Sequence, residues 1–279
     1  MSLFIDRLQA ASRTNRSLVC VGLDPDPDLM PVPDVLAFNK AIVDATRDLV
    51  CAYKPNLAHY EALGLPGLEA LHQTVAYIRR AAPDVIVIGD GKHGDIASTS
   101  ARYAKALFDV TGFDATTVVA YAGGESLDPF FAYESKGIFV WCRSSNPGAR
   151  EFQDLEVSAG SGTLPLFEWI AERAVRWNTR GNVGLVVGST YPEELGVVRS
   201  RCPGLPILVP GVGAQGGDLD GAVKHGMDSD GFNLLISSSR GITYASRDKS
   251  DFAEAARRAA SDLRDRINNV LAQEGREWS

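Results

Sequence analysis

Short apolar runs recur along this chain at 18–23, 49–53, 85–88, 116–121, 138–141, 183–187, 206–209 and 231–236, and no other feature limits its fold so strongly. Each has the length and β-branched character of a strand buried on both faces. Most are separated by segments of helical period. Residues 35–49 carry apolar side chains at Leu36, Ile42, Val43 and Ala45, and 65–82, 97–108, 164–177 and 191–198 behave alike. An amphipathic segment rich in Ala and Arg covers 251–271. The N-terminus, Met1-Ser-Leu-Phe-Ile-Asp-Arg-Leu8, opens as an amphipathic helix and lacks the pattern of a signal peptide. Strand and helix in succession require a parallel sheet. About eight such units in 279 residues predict an α/β fold, a closed (β/α)8 TIM barrel, with residues 1–279 as one domain. A doubly wound open sheet is the second choice. Residues 143–164 are the longest irregular stretch, with room for short helical pieces.

Composition narrows the class of function. Hydrophobic residues at 45% and charged residues at 23% are ordinary for a globular protein. A net charge of −7 without a basic run gives no footprint for nucleic acid. No apolar stretch reaches the length of a membrane span. Cys20, Cys51, Cys142 and Cys202 stand apart, so buried reduced thiols and a cytoplasmic location are expected.

In barrels of this kind the reactive groups sit where strands run into the following loops. Polar residues collect there in this chain. Strand three reads Val85-Ile-Val-Ile-Gly-Asp-Gly-Lys-His-Gly-Asp95. Simple alternation puts Ile88, Asp90 and Lys92 on one inward face. A carboxylate and an ammonium leaving a buried strand together are costly to place. A salt bridge capping the strand would explain a lone D-x-K, but Asp95 shifts the balance. A lysine between two carboxylates keeps its charge and can deliver a proton into a closed site.

The other strand ends add to this. Asp24 shares the inward face of Cys20 and Gly22, which favours a hydroxyl-binding role, whereas Asp26 and Asp28 read as turn caps. Lys54, in step with Val50 and Ala52, enters the barrel mouth. The Gly-rich stretch 211–217, followed one strand later by Ser239-Arg240, points to a phosphate site built from backbone N–H groups and a guanidinium. His93 reads as a spacer turned away from Lys92, and His59, His72 and His225 as structural or surface residues. No His and carboxylate set has metal-ligand spacing, although Asp90 and Asp95 alone could hold Mg²⁺.

With these residues in hand, the chain resembles the orotidine 5′-phosphate decarboxylase family, in its longer bacterial branch. The D-x-K-x-x-D signature is Asp90-Gly-Lys92-His-Gly-Asp95, followed by Ile96 and Thr99, and the upstream lysine is Lys54 in Tyr-Lys-Pro-Asn. Asp24 is similar to the ribose-binding aspartate, Ser145 in Ser-Asn-Pro-Gly to the pyrimidine-contacting serine, Gln215 to the phosphate-loop glutamine, and Arg240 to the phosphate-binding arginine. The sequence departs at Gly89, at His93-Gly94 and at Ser239, where Gly is usual and a backbone N–H survives. The resemblance implies cofactor-independent loss of CO₂ from orotidine 5′-monophosphate to give uridine 5′-monophosphate. Lys54, Asp90, Lys92 and Asp95 would be catalytic, and Asp24, Thr99, Ser145, Gln215, Ser239 and Arg240 substrate-binding, with no metal. It also implies a homodimer in which Asp95 and Thr99 reach the neighbouring site. The alternatives are a Mg²⁺-dependent decarboxylase or aldolase acting on a phosphorylated keto-sugar, and a non-catalytic barrel that binds phosphate ligands.

Overall fold

The computed structural model describes residues 3–160, 162–212 and 218–278. The strands are β1 (Val19–Leu23), β2 (Ala52–Pro55), β3 (Ile86–His93), β4 (Ala115–Val118), β5 (Gly137–Arg143), β6 (Glu156–Ala159), β7 (Gly162–Pro165), β8 (Val183–Val187), β9 (Ile207–Pro210) and β10 (Leu234–Ser238). The barrel closes in the order β1-β10-β9-β8-β5-β4-β3-β2, every pair parallel, while β6 and β7 form a separate antiparallel hairpin. The closed sheet is the predicted one, and the open doubly wound alternative is excluded. The β2 run is displaced along the chain, because Lys54 and Pro55 continue the strand. The register sets Cys20 opposite Ala52 and Gly22 opposite Lys54.

The helices are α1 (Phe4–Asn15), α2 (Val35–Thr46), α3 (Leu57–Glu61), α4 (Gly64–Ala81), α5 (Ala97–Lys105), α6 (Asp128–Phe131), α7 (Arg150–Gln153), α8 (Leu166–Trp177), α9 (Pro192–Arg201), α10 (Leu219–Gly226), α11 (Arg240–Thr243) and α12 (Phe252–Gln273). Several begin where a side chain satisfies free backbone N–H groups. Asp34 accepts from Ala37 N at 2.9 Å ahead of α2, and Asn56 from Ala58 N at 3.3 Å ahead of α3.

Two apolar layers fix which mouth stays open. The main core lies between sheet and helices, where Val21, Tyr53, Val87, Val140 and Leu185 meet Phe38, Ile78, Phe167 and Ala256. The second fills the barrel with Cys20, Cys51, Ile86, Ala115, Phe139 and Leu208, and α1 contributes Phe4 and Leu8 to it. Phe4 meets the ring of Phe139 edge-on at 6.0 Å. Arg7 anchors α1 through an ion pair of 2.7 Å with the buried carboxylate of Asp114. Thus α1 plugs the end where the strands begin, and the end where they finish is left for chemistry. The irregular stretch contains a 3-10 turn at Pro147–Ala149, the short α7 and the β6–β7 hairpin. Buried Arg143 holds it down, with Nη1 donating to Asp154 at 2.6 Å and Nε to Glu194 of α9 at 2.7 Å.

Candidate active site

β3 does not run straight to its end. Gly89 lies opposite Thr116, but His93 lies opposite Val118, so the segment 90–92 arches out of the ladder. At its crest Lys92 takes φ 47°, a left-handed conformation that costs a residue with a side chain about 1–2 kcal/mol. Its backbone N–H is held there by the Thr117 hydroxyl at 2.9 Å. Asp90 and Lys92 therefore meet through a bulge, where plain alternation had placed them on one face. Such strain persists only where the surroundings enforce it, and it gathers at functional sites.

The bulge delivers a three-membered charge row. Asp90 accepts from Lys54 Nζ on one oxygen at 2.8 Å and from Lys92 Nζ on the other at 2.7 Å. The hydroxyl of Thr117 donates to the same oxygen as Lys92, at 2.8 Å. Lys54 is 5% exposed and Asp90 7%, whereas the Lys92 side chain is one-third exposed, at 33%. Burial works against a charged Lys54, yet Asp90 first and Asp24 second outweigh it and lift its pKa above the ordinary lysine value. Burial likewise opposes an ionised Asp90, but Lys54 and then Lys92 hold its carboxyl far below the usual range. The row is thus a fixed +/−/+ array with one ammonium turned towards solvent. That ammonium also stands 5.6 Å from the ring centre of Trp141 on β5.

Around the row lies a cleft of about 460 Å³. Its far wall comes from β9 and β10: Pro210, Gly211, Val212, Ser239 and Arg240. Between the two ends, β1 contributes Asp24 and β2 contributes Asn56 and, from α3, His59. The Ser239 hydroxyl donates to Asp24 Oδ2. This close approach needs Gly22, since a Cβ there would collide with Ser239. Asp24 Oδ1 is buried without a partner among the described residues, an acceptor awaiting a donor. Asp26 takes the expected turn role, accepting from Asp28 N at 3.0 Å.

Of the residues singled out from the sequence, Asp24, Lys54, Asp90, Lys92, Ser239 and Arg240 line this one cleft. Asp95 does not. It is exposed beyond the end of β3 and accepts from Ile96 N at 2.6 Å, so the row ends at Lys92 within this chain. Thr99 lies on α5 outside the cleft, and Ser145 lies after β5 against Gly188, also outside it. Gln215 is outside the described residues. The cleft residues missed include Asn56, His59 and Tyr244. Asn56 had no partner in the pattern, and His59 was set aside because it falls on a helix. Tyr244 lies in a stretch without periodicity; its hydroxyl donates to Asp24 O and accepts from Asp26 N, each at 2.8 Å. His93 packs on Tyr103 with ring centres 4.3 Å apart. All four cysteines are buried free thiols. Burial pushes Cys20 up to about 12 and Cys202 to about 11, and raises the other two, which leaves no ready thiolate.

Among the described residues no three His, Cys, Asp or Glu side chains gather as metal ligands, and no helix is long and apolar enough to cross a membrane. Comparison with known proteins shows what the chain is similar to. The pattern of the Orotidine 5′-phosphate decarboxylase / HUMPS family matches residues 17–257. An orotidine 5′-phosphate decarboxylase of Thermomicrobium roseum is 52% identical over 274 residues, covering 96% of this chain and 95% of the relative. The solved OMP decarboxylase of Leishmania donovani superposes with a TM-score of 0.84 at 38% identity, over 96% of this chain and 99% of that one. The UMP synthase of the same organism superposes with a TM-score of 0.86 at 40% identity; this chain spans 97% of itself there but 57% of that longer protein.

Proposed function

The chain belongs to the orotidine 5′-phosphate decarboxylase / HUMPS family, and from that premise we propose how its cleft performs the decarboxylation. The reaction is loss of CO₂ from C6 of orotidine 5′-monophosphate, giving uridine 5′-monophosphate, the last step of pyrimidine nucleotide synthesis. The observation that carries the assignment to these residues is the Lys54–Asp90–Lys92 row at the open mouth, with bonds of 2.8 and 2.7 Å.

The chemical difficulty is the electron pair left at C6 in an sp² orbital outside the ring's π system. Stabilisation on the order of 20 kcal/mol is needed, near the upper end of what enzymes supply. Preorganised charge is the main source available to these side chains. Lys92, the more exposed ammonium of the row, stabilises the C6 carbanion and then protonates it. Asp90, locked in its ionised form, faces the substrate carboxylate and disfavours it relative to the carbanion, from which that charge has departed. Lys54 fixes Asp90 from behind and, with Asp24, contacts ribose hydroxyls. The β9 and β10 loops take the phosphate, with Arg240 as the charged donor and Gln215, which follows β9 in sequence, as the second phosphate ligand the family resemblance implies. Binding energy at that remote end holds C6 against Lys92. No step calls for a metal or a cofactor.

Asp95 fits this scheme through a second copy of the chain. It is exposed, and Ile96 (66%), Tyr121 (89%) and Phe152 (61%) expose apolar surface on the segments that follow β3, β4 and β5. A homodimer that buries this side of the mouth brings Asp95 and Thr99 to the partner's cleft, with Ser145 closing over the pyrimidine. A cytoplasmic location belongs to the same reading. The test is incubation with orotidine 5′-monophosphate in D₂O with excess chelator. The expected product is uridine 5′-monophosphate carrying deuterium at C6; absence of that product contradicts the reading.

A further inference from the structure

We propose that His59 reads a ribose hydroxyl of the substrate through Nε2 and thereby helps to set sugar specificity, an inference that rests on the decarboxylase reading above. His59 Nδ1 lies 3.1 Å from Pro25 O. A peptide carbonyl can only accept, so Nδ1 must carry the proton. The bond fixes both tautomer and ring plane, and in the neutral ring it leaves Nε2 as a bare acceptor. Nε2 has no hydrogen-bond partner among the described residues, and His59 is one of the residues that line the cleft.

The barrel order then says which part of the ligand passes this wall. The charge row stands on β2 and β3, and the phosphate wall on β9 and β10. β1 lies between β2 and β10. A nucleotide with its base at Lys92 and its phosphate at Arg240 must carry its sugar across the β1–β2 sector. The acceptors and polar groups there include the unpartnered Asp24 Oδ1, the Asn56 side chain and His59, beside Lys54. Hydroxyls are the donors that match an acceptor in that sector, and a phosphate oxygen has nothing to give it. The α3 helix that carries His59 is itself set by Asn56, whose side chain caps it. The imidazole is thus placed by its own bond to Pro25 O and by the Asn56-capped helix that carries it.

The variant that separates the two ring nitrogens is His59→Asn. Its amide nitrogen keeps the donor to Pro25 O and removes the Nε2 acceptor. The measurements are kcat and KM for orotidine 5′-monophosphate and its 2′-deoxy and 3′-deoxy analogues. A neutral hydrogen bond predicts a loss of about fivefold in kcat/KM for the ribonucleotide, mainly through KM. The loss should vanish for the analogue lacking the bonded hydroxyl, as a double-mutant cycle requires. Equal losses on all three substrates, or none on any, overturn the proposal and leave His59 as packing. Wild-type protein inactive on orotidine 5′-monophosphate would instead overturn the decarboxylase reading, and this inference with it. A second measurement needs no variant. In wild-type protein labelled with ¹⁵N-histidine, the unprotonated ring nitrogen of His59 should shift upfield on adding uridine 5′-monophosphate, and less with the deoxy form. An unmoved resonance at saturation contradicts the contact.

Discussion

Replacing Asp90 by Asn tests the charge row through stability as well as activity. The exchange keeps the shape and removes the single negative charge shared by Lys54 and Lys92. Lys92 can turn to water, since a third of its side chain is exposed, but Lys54 is buried and cannot. Asp24, the remaining acid, is already bonded by Ser239 and offsets only part of the loss. Removing one partner of a buried pair typically costs about 3–5 kcal/mol, and the residual help from Asp24 puts this case near 3. For a chain of this size that lowers Tm by about 6–12 °C.

The pH dependence carries a sign that packing loss cannot imitate. In the wild type, the depressed Asp90 pKa gives stability that is present above the unfolded carboxylate value of about 3.9 and lost as pH falls through the folded value. The raised Lys54 pKa gives stability that is present below about 10.4 and lost as pH rises through its folded value. Between about pH 5 and 9 both contributions are flat. In Asp90→Asn the burial of Lys54 is no longer outweighed, so its pKa falls below the ordinary one. The penalty is then relieved as pH rises through that lowered value. Thermal or urea melts followed by circular dichroism should show the gap between wild type and variant narrowing from about pH 7 to pH 10. A gap constant over that range, or a variant as stable as the wild type, refutes the reasoning.

Lys92→Ala should lower kcat by about 10⁴-fold or more, since it removes both carbanion stabilisation and the proton donor. Titration calorimetry should still find uridine 5′-monophosphate binding within about tenfold of wild type, because the phosphate wall is untouched. Arg240→Ala should weaken binding of the nucleotide by about 10–100-fold, as loss of a charge-assisted bond to phosphate does; orotidine without its phosphate should show no such loss. Mixing Lys92→Ala with Asp95→Ala chains should restore part of the activity by creating one intact site per hybrid dimer. Hybrids shown to form yet remaining inactive would rule out shared sites. Asp114→Asn, at the plugged end of the barrel, removes the partner of Arg7 and Arg79. Both arginines can turn to water, so it should cost only about 1–2 kcal/mol in a urea melt while leaving kcat unchanged at 25 °C.

The fold was legible because parallel strands buried on both faces announce themselves as continuous apolar runs, and the barrel strands fall on or beside every such run. The β6–β7 hairpin was not legible for the converse reason. Glu156-Val-Ser-Ala and Gly-Thr-Leu-Pro form a mostly exposed surface ribbon, with no apolar face to mark it. Within the site, strand parity correctly turned Lys54 inward. It reached the right grouping of Asp90 and Lys92 by the wrong geometry, because a bulge and a left-handed residue leave no trace in an alternation pattern. Asp95 was read as a neighbour of Lys92 from spacing alone, whereas the strand has ended and the chain has turned outward before it. His59 and Tyr244 were invisible for a third reason. Both earn their places through backbone atoms of the Asp24 loop, Pro25 O in one case and Asp24 O in the other, and contacts to distant backbone follow no motif.

The most direct measurement is the ultraviolet absorbance of orotidine 5′-monophosphate after adding the purified protein in excess chelator, with Lys92→Ala alongside under identical conditions. The spectrum should pass fully to that of uridine 5′-monophosphate with the wild-type chain and stay unchanged over the same interval with the variant. A static spectrum with the wild type, or equal rates for the two proteins, contradicts the claim that the Lys54–Asp90–Lys92 row performs the reaction.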